Sequence, residues 1–272
     1  MDLNVKIIVI LIRMEYGIKI NKLEELKSIN LPKYKYIYFG NEFCERKIPS
    51  KSKIKKIFSF CKSKNKIPVF LTPPLTYKGI EKMKSILKEL LDNQFEIVIN
   101  DIGLLNLDIL NNKNIKKNLG RLLIKSKKGP EITAGNLNEP PENFRESSLS
   151  NKRFIDFFKN YVGRFEIDLP SQGINLPENE KISLYMGNSV ISVTRRCPYI
   201  DSDKPKEEYN YKIKRCKKEC LKYYTVKNTK YYSEPIFVMG NAELLKTKMK
   251  VPKELKGKID RIIIFSKIQK CL

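Results

Sequence analysis

Six cysteines, at positions 44, 61, 197, 216, 220 and 271, are the residues of this 272-residue chain with the clearest potential for chemistry. The sequence contains no histidine. The chain therefore cannot form a Ser–His or Cys–His catalytic pair, a mixed His–Cys zinc site or a His-ligated haem. Any chemistry it performs depends on thiolates, carboxylates, hydroxyls, amides and the cationic groups of Lys and Arg.

Two of the cysteines have structural interpretations. Cys61 continues an apolar face with Ile54, Ile57 and Phe58 at helical spacing, which predicts a buried position on a helix. Cys271 is the penultimate residue, and chain ends are usually loosely held. We expect neither thiol to be a ligand.

The other four cysteines predict a metal site. Cys44 and Cys197 each follow a strand candidate, and Cys216 and Cys220 form a C-x3-C pair. Because parallel barrel strands all end on one face, Cys44 and Cys197 are expected to emerge together, and the next loop is long enough to bring back the pair. The spacing leaves a 4Fe–4S cluster, a structural zinc ion and unligated thiols open. Basic neighbours that would stabilise thiolates are Arg195, Arg196, Lys214, Arg215, Lys217 and Lys218.

Short β-branched or aromatic runs alternate with amphipathic helical segments along the chain. This alternation predicts βαβ units and a mainly parallel sheet. Seven or eight strands over this length favour an α/β fold, a TIM-barrel-like (β/α) barrel, with an incomplete or distorted form left open. The strand candidates are 5–12, 36–39, 67–71, 95–100, 119–124, 164–167, 189–193, 236–239 and 261–265, and the helix candidates are 23–29, 54–63, 80–91 and 104–110.

We expect residues 1–272 to form one barrel-like domain. The stretch 125–152 interrupts the alternation with Gly129-Pro130, Pro140-Pro141 and several Ser and Asn residues, so it is interpreted as a polar surface excursion. Residues 197–225 are interpreted as a loop that carries three of the cysteines.

A Gly-Asn pair follows three of the strand-like runs, and an Asn-Asp pair follows a fourth. Tight turns after strands explain these pairs, because Gly and Asn tolerate positive φ. The same positions would lie at the C-terminal mouth of a barrel, where such folds place active sites. Both interpretations hold together, and the candidate catalytic side chains from this pattern are Asn41, Asp101, Asn188 and Asn241.

The chain is strongly basic, with a net charge of 54 − 30 = +24. Such a surplus favours a polyanionic partner such as RNA. A surface solvated by lysines, as an AT-rich genome encodes, explains the charge equally well. The basic, tyrosine-rich stretch 209–232 fits base stacking on RNA, or a solvated loop that holds cysteines.

No stretch reaches the roughly 18 apolar residues of a membrane span. The apolar run 5–12 is broken by Lys6, followed by Arg13 and lacks a small-residue cleavage site, so it is interpreted as a buried strand rather than a signal peptide. We therefore expect a cytoplasmic protein without a membrane span, whose cysteines are reduced.

Several segments resemble the collagenase-like peptidase family U-thirty-two, and the closest branch is the ubiquinone-biosynthesis V-type proteins. The resemblance lies in 38–44 (YFGNEFC), 99–103 (INDIG), 119–123 (LGRLL) with Lys125 and Lys128, 170–173 (PSQG), 194–198 (TRRCP) and the C-x3-C pair. The gap between Cys197 and Cys216 is longer here than in the family pattern, and the excursion 125–152 has no counterpart in that pattern.

The resemblance implies a TIM-barrel-like fold and a 4Fe–4S cluster held by Cys44, Cys197, Cys216 and Cys220. It also implies a part in oxygen-independent hydroxylation of a quinone precursor, beside a related barrel protein as partner. The alternatives are an RNA-modifying or RNA-binding member that acts on tRNA or rRNA, and an accessory subunit without catalysis of its own. Proteolysis is disfavoured, because without histidine it needs a carboxylate pair, a Ser–Lys pair or a metal-bound water.

Overall fold

A closed barrel of eight parallel strands accounts for most of the described strands. The computed structural model describes residues 14–129, 141–195, 197–200, 216–221, 225–228, 232, 234–247 and 249–266. The barrel strands are β1 (Glu15–Lys19), β2 (Tyr36–Gly40), β3 (Ile67–Leu71), β4 (Phe95–Ile99), β5 (Ile115–Leu119), β6 (Arg164–Asp168), β7 (Ile182–Tyr185) and β12 (Arg261–Phe265). Strands β1 to β7 follow one another around the barrel, and β12 closes it between β7 and β1. The predicted α/β barrel is confirmed.

Helices cover the barrel unevenly. In the described residues these helices are α1 (Lys51–Ser63), α2 (Tyr77–Lys88), the short α3 (Ile102–Leu105) and α4 (Lys152–Lys159), and 3-10 turns such as Leu23–Ser28 replace helices elsewhere. Helix α1 buries the apolar face that includes Cys61. The connection between β6 and β7, which is described throughout, contains no helix. The helical layer around this barrel is therefore incomplete.

A second, antiparallel sheet is inserted between β7 and β12. Its strands are β8 (Asn188–Val193), β9 (Thr225–Lys227), β10 (Ile236–Met239) and β11 (Ala242–Lys246), in the order β8-β11-β10-β9. The runs 189–193 and 236–239 were expected in the barrel, and this expectation is wrong. Gly240, with φ +67, and Asn241 form a two-residue turn that reverses β10 directly into β11, so the two strands pair antiparallel.

Other sequence predictions need smaller corrections or fall outside the described residues. The prediction of a strand at 119–124 is wrong, because β5 ends at Leu119. The polar residues within β5 interrupt its apolar pattern, so the sequence did not reveal this strand. The predicted helix at 104–110 is divided into α3 and a 3-10 turn at Asp108–Asn111. The run 5–12, residues 130–140 of the excursion and Cys271 lie outside the described residues.

The barrel interior is polar as well as apolar. Glu96 binds Arg261 through two hydrogen bonds of 2.7 and 3.0 Å, and the Arg261 guanidinium stacks 3.4 Å from the Tyr36 ring centroid. Glu166 accepts hydrogen bonds from Tyr38 and other donors in the next layer. Side chains therefore fill the barrel, which is a packed core rather than a channel. In the described part of the chain, no helix combines the length and apolar character that crossing a membrane requires.

Candidate functional site

The four candidate cysteine ligands line one cavity at the C-terminal mouth of the barrel. The cavity has a volume of about 820 Å³. Cys44 lies beyond β2 and Cys197 beyond β8, whereas Cys220 lies within the 3-10 turn Glu219–Leu221 and Cys216 precedes that turn. All four are free thiols and partly exposed. A barrel strand, a strand of the antiparallel sheet and a later loop thus bring four sulfur atoms to the same space.

Asn41 shapes the loop that carries Cys44. Its Oδ1 accepts hydrogen bonds from the backbone N–H groups of Phe43 at 3.0 Å and Cys44 at 2.7 Å. Gly40 precedes it with φ +104, and a Cβ at Gly40 would come 2.5 Å from the carbonyl oxygen of Leu71. The Gly-Asn pair after β2 is thus a tight turn that presents Cys44 to the cavity, and the Asn41 side chain is used in building it.

Cys197 and Cys220 interact directly. The two thiols influence each other's ionisation, and the ammonium of Lys47 lies beside Cys220. The Cys197 thiol, with help from Lys47, lowers the pKa of Cys220 to about 6, and Cys220 raises the pKa of Cys197. Cys220 is therefore the sulfur that most readily becomes a thiolate in this site.

Cys216 and Cys44 complete the group. The Sγ of Cys216 accepts a hydrogen bond from the backbone N–H of Lys218 at 3.3 Å, and it lies 4.0 Å from the carboxylate of Glu219. Burial raises the pKa of Cys44, with smaller contributions from Cys216 and Cys220. The four thiols line the same cavity and so form one cluster. In the described residues no three His, Cys, Asp or Glu side chains are arranged to hold a single metal ion.

Asn241 connects the barrel to the antiparallel sheet at this cluster. Its Nδ2 donates hydrogen bonds to the carbonyl oxygens of Phe43, at 2.6 Å, and Thr194, at 2.7 Å. The backbone N–H of Thr194 also donates to the carbonyl of Asn241 at 2.9 Å. Phe43 precedes Cys44, and Thr194 lies three residues before Cys197, so one side chain contacts both cysteine-bearing segments.

A buried network of ion pairs forms the floor beneath the cavity. Glu42 holds Arg121 by two hydrogen bonds of 3.0 and 3.1 Å and Lys19 by one of 2.5 Å. Asp168 lies 3.8 Å from Arg121 and binds Lys128 at 2.7 Å. Burial would raise the pKa of Glu42, but Arg121 and Lys19 outweigh it and lower that pKa to about 2. The sequence analysis did not predict this network. Glu42 and Arg121 both follow the ends of strands, and the same position after a strand had identified Asn41 as a candidate.

The remaining candidate catalytic side chains have structural partners. Asn188 accepts from Arg121 Nη1 at 3.1 Å and so belongs to the floor. Asp101 caps α3 by accepting from the N–H of Gly103 at 2.8 Å, and it accepts from the N–H of Leu75 at 2.7 Å. The carboxylate of Asp101 thus stabilises the turns after β3 and β4.

Part of the cavity wall is cationic. Seven Lys and Arg side chains line it, against the single carboxylate of Glu45, which accepts hydrogen bonds from Thr76. Among the described residues, Arg46, Lys125, Arg195 and Lys218 have no carboxylate partner. Of the basic neighbours predicted to support the thiolates, Arg196, Lys214 and Arg215 lie outside the described residues, as does most of the stretch 209–232.

No family model matches the sequence, and no curated protein matches it. The solved structure of the U32 peptidase Mk0906 is similar to this chain, with a TM-score of 0.43 and 10% identity over 93% of this chain and 92% of that chain. At this level of similarity we interpret the site from its own residues.

Proposed function

We propose that this chain binds a 4Fe–4S cluster through Cys44, Cys197, Cys216 and Cys220. The observation that carries the proposal is the gathering of four free thiols around one cavity in a chain without histidine. The donor set fits the group, because such clusters take four cysteine sulfurs and few other ligands. Zinc in the same four thiolates, which the sequence also left open, would require the thiols to move closer together, because no three of these described side chains surround a single ion.

The residues around the thiols support an anionic centre. The ammonium of Lys47 lowers the pKa of Cys220, and the backbone N–H of Lys218 donates a hydrogen bond to Cys216. Cationic and N–H donors to sulfur stabilise thiolates and affect the potential of a bound cluster. When bound, the cluster would supply one-electron transfer at the barrel mouth.

We further propose that the chain takes part in oxygen-independent hydroxylation of a quinone precursor, beside a related barrel protein. Apolar side chains line the cavity next to the thiols, among them Phe43, Leu122, Ile191 and Val193. This apolar wall would bind an aromatic ring and exclude water from it, while the ion pairs below close the barrel. We propose the related barrel protein as a subunit that acts together with this chain.

Anaerobic purification followed by iron, sulfide and zinc analysis tests the metal assignment. We expect about four irons and four sulfides per chain, lost in Cys44→Ala and Cys216→Ala and retained in Cys61→Ala. The Cys61 thiol is fully buried on α1, so it is a matched control that removes a thiol elsewhere. Folded protein free of iron under these conditions contradicts the proposal, and one zinc per chain supports the alternative.

A second candidate function is RNA binding or modification at the same face. The cationic wall favours it, because Lys and Arg side chains without acidic partners neutralise phosphates. We expect affinity for a tRNA to fall steeply with salt, and Arg195→Ala to reduce that salt dependence relative to a distant Lys152→Ala control. Affinity that does not respond to salt or to Arg195→Ala contradicts this candidate.

A further inference from the structure

The turn between β10 and β11 contacts three of the four cysteine-bearing segments. Asn241 is 9% exposed, and its Nδ2 lies between the carbonyl oxygens of Phe43 and Thr194. A Cβ added to the preceding residue, Gly240, would lie 3.5 Å from Cys220 Sγ and 3.1 Å from Lys47 Nζ. The turn thus packs against the Cys220 thiol while its asparagine binds the two segments that lead to Cys44 and Cys197.

Chemistry fixes the orientation of the Asn241 amide. Two carbonyl oxygens at 2.6 and 2.7 Å require two N–H donors, which only the NH₂ group of the amide provides. The reverse orientation would place Oδ1 against both carbonyls and lose both hydrogen bonds. Asn241 Oδ1 itself is buried without a hydrogen-bond partner. The amide is therefore held by these two carbonyls alone.

The two contacts differ in what else supports them. Thr194 is also held by the backbone hydrogen bond to Asn241 and by the pairing of β8 with β11, in which Val193 lies opposite Ala242. The Phe43 carbonyl belongs to a loop of the barrel, on the other side of the interface. Its bond to Asn241 ties the Cys44 loop to the antiparallel sheet.

We infer that Asn241 is a positioning residue for the thiol cluster. Its amide holds the Cys44 loop against the sheet that carries Cys197, and so fixes the spacing between the barrel cysteine and the later ones. The inference rests on the proposed function in that the thiols are taken as cluster ligands. It assigns the antiparallel sheet a role in building the site.

Two measurements on the full chain test the inference, one with metal and one without. In anaerobically purified protein, we expect Asn241→Ala to reduce iron content and to alter the visible absorption and electron paramagnetic resonance spectra of the cluster. In metal-free protein, a short bis-electrophile followed by peptide mapping should link Cys44 to Cys197 or Cys220 roughly tenfold more slowly in Asn241→Ala, the factor expected for the loss of one or two buried hydrogen bonds. The link between Cys197 and Cys220 should form at the original rate.

Controls separate positioning from general damage. Asn106→Ala removes an exposed asparagine at the end of α3 and should change neither measurement. Asn241→Ser keeps a single donor, so it should give intermediate linking rates, and it replaces Asn241→Ala if that variant does not fold. Unchanged Cys44 links and unchanged spectra in the Asn241 variants overturn the inference. If the parent protein binds no iron, the proposed function fails while the linking rates still decide the role of Asn241.

Discussion

Both carboxylate oxygens of Glu42 accept hydrogen bonds from the guanidinium of Arg121, and both side chains are almost completely buried. The pair lies between Lys19 on one side and Asp168 on the other, so positive and negative groups alternate across the barrel mouth. Arg121 also stacks on the Tyr185 ring at 4.2 Å. This arrangement separates the thiol-lined cavity from the packed barrel interior.

Glu42→Gln should destabilise the fold strongly. The substitution leaves Arg121 and Lys19 buried with reduced compensation, which costs about 3 kcal/mol or more in the free energy of unfolding. Urea unfolding followed by circular dichroism measures the loss. The control is Asp156→Asn, which breaks the exposed pair with Lys152 and should cost less than about 1 kcal/mol. Equal effects of the two variants would contradict a structural role for the floor.

Gly120→Ala should also destabilise the protein, for a steric reason. An added Cβ would collide with the carboxamide of Asn100, 2.5 Å from its Cγ. That carboxamide donates to the carbonyl of Thr72 and accepts from the N–H of Leu122, so displacing it breaks two hydrogen bonds. We expect a loss of roughly 1–3 kcal/mol by chemical unfolding. Gly163→Ala, which meets no atom within 4 Å, is the matched control, and a comparable loss there would refute the explanation.

Glu166 should make the folded protein less stable as the pH rises towards neutrality. Burial raises its pKa from an ordinary value near 4.5 to about 7, although Tyr185 and Tyr38 donate to it. The folded state therefore favours the protonated carboxyl, so its stabilising contribution is full below pH 4.5 and is lost as the pH rises through 7. The change is on the order of 3 kcal/mol.

Unfolding of Glu166→Gln at pH 5 and pH 8 tests this expectation. The variant should lose much of the decline in stability that the parent protein shows over this range. Glu96 and Glu42 have lowered pKa values, so their contributions change only at more acidic pH and do not mask the effect. An identical pH dependence in the variant and the parent would show that Glu166 ionises normally.

Thiol reactivity of the metal-free protein should separate the cysteines sharply. Cys220, with a pKa lowered to about 6, should be alkylated first at pH 7, because it is the one most often present as thiolate. Burial raises the pKa of Cys61 to about 12 and leaves it 0% exposed, so it should react last. Mass spectrometry of peptides after timed treatment with iodoacetamide gives the order. Early labelling of Cys61 would contradict its position on the buried face of α1.

The barrel was predictable where apolar runs are continuous and bounded by turn residues, as in β3 and β4. The strand β6 was also predicted, but not the direction of its side chains. Arg164, Glu166 and Asp168 alternate with apolar residues, which by itself suggests a strand with one face in water. Instead that polar face lines the barrel interior, where Asn118, Tyr38 and Tyr185 donate hydrogen bonds to Glu166. A period of two identifies two faces without showing which one meets solvent.

The thiol cluster could be anticipated because Cys44 and Cys197 follow strands that end near one mouth. The sequence could not show that those strands belong to two different sheets. The Gly-Asn pair of the hairpin at Gly240 and Asn241 has the same sequence pattern as the turns after barrel strands. The ion pairs of the floor were hidden for another reason. Lys19, Glu42 and Arg121 lie far apart in the chain, and charged residues found singly are usually on the surface.

The position of β12 has a consequence for how the protein forms during synthesis. Strands β1 and β7 both present an open edge until β12 fills the gap between them, and β12 is the last strand of the described chain. A nascent polypeptide on the ribosome therefore completes the whole antiparallel insertion before its barrel can close, and exposed edges of this kind invite mispairing. Truncation anywhere before residue 261 removes the strand that joins β7 to β1 and so leaves the barrel open.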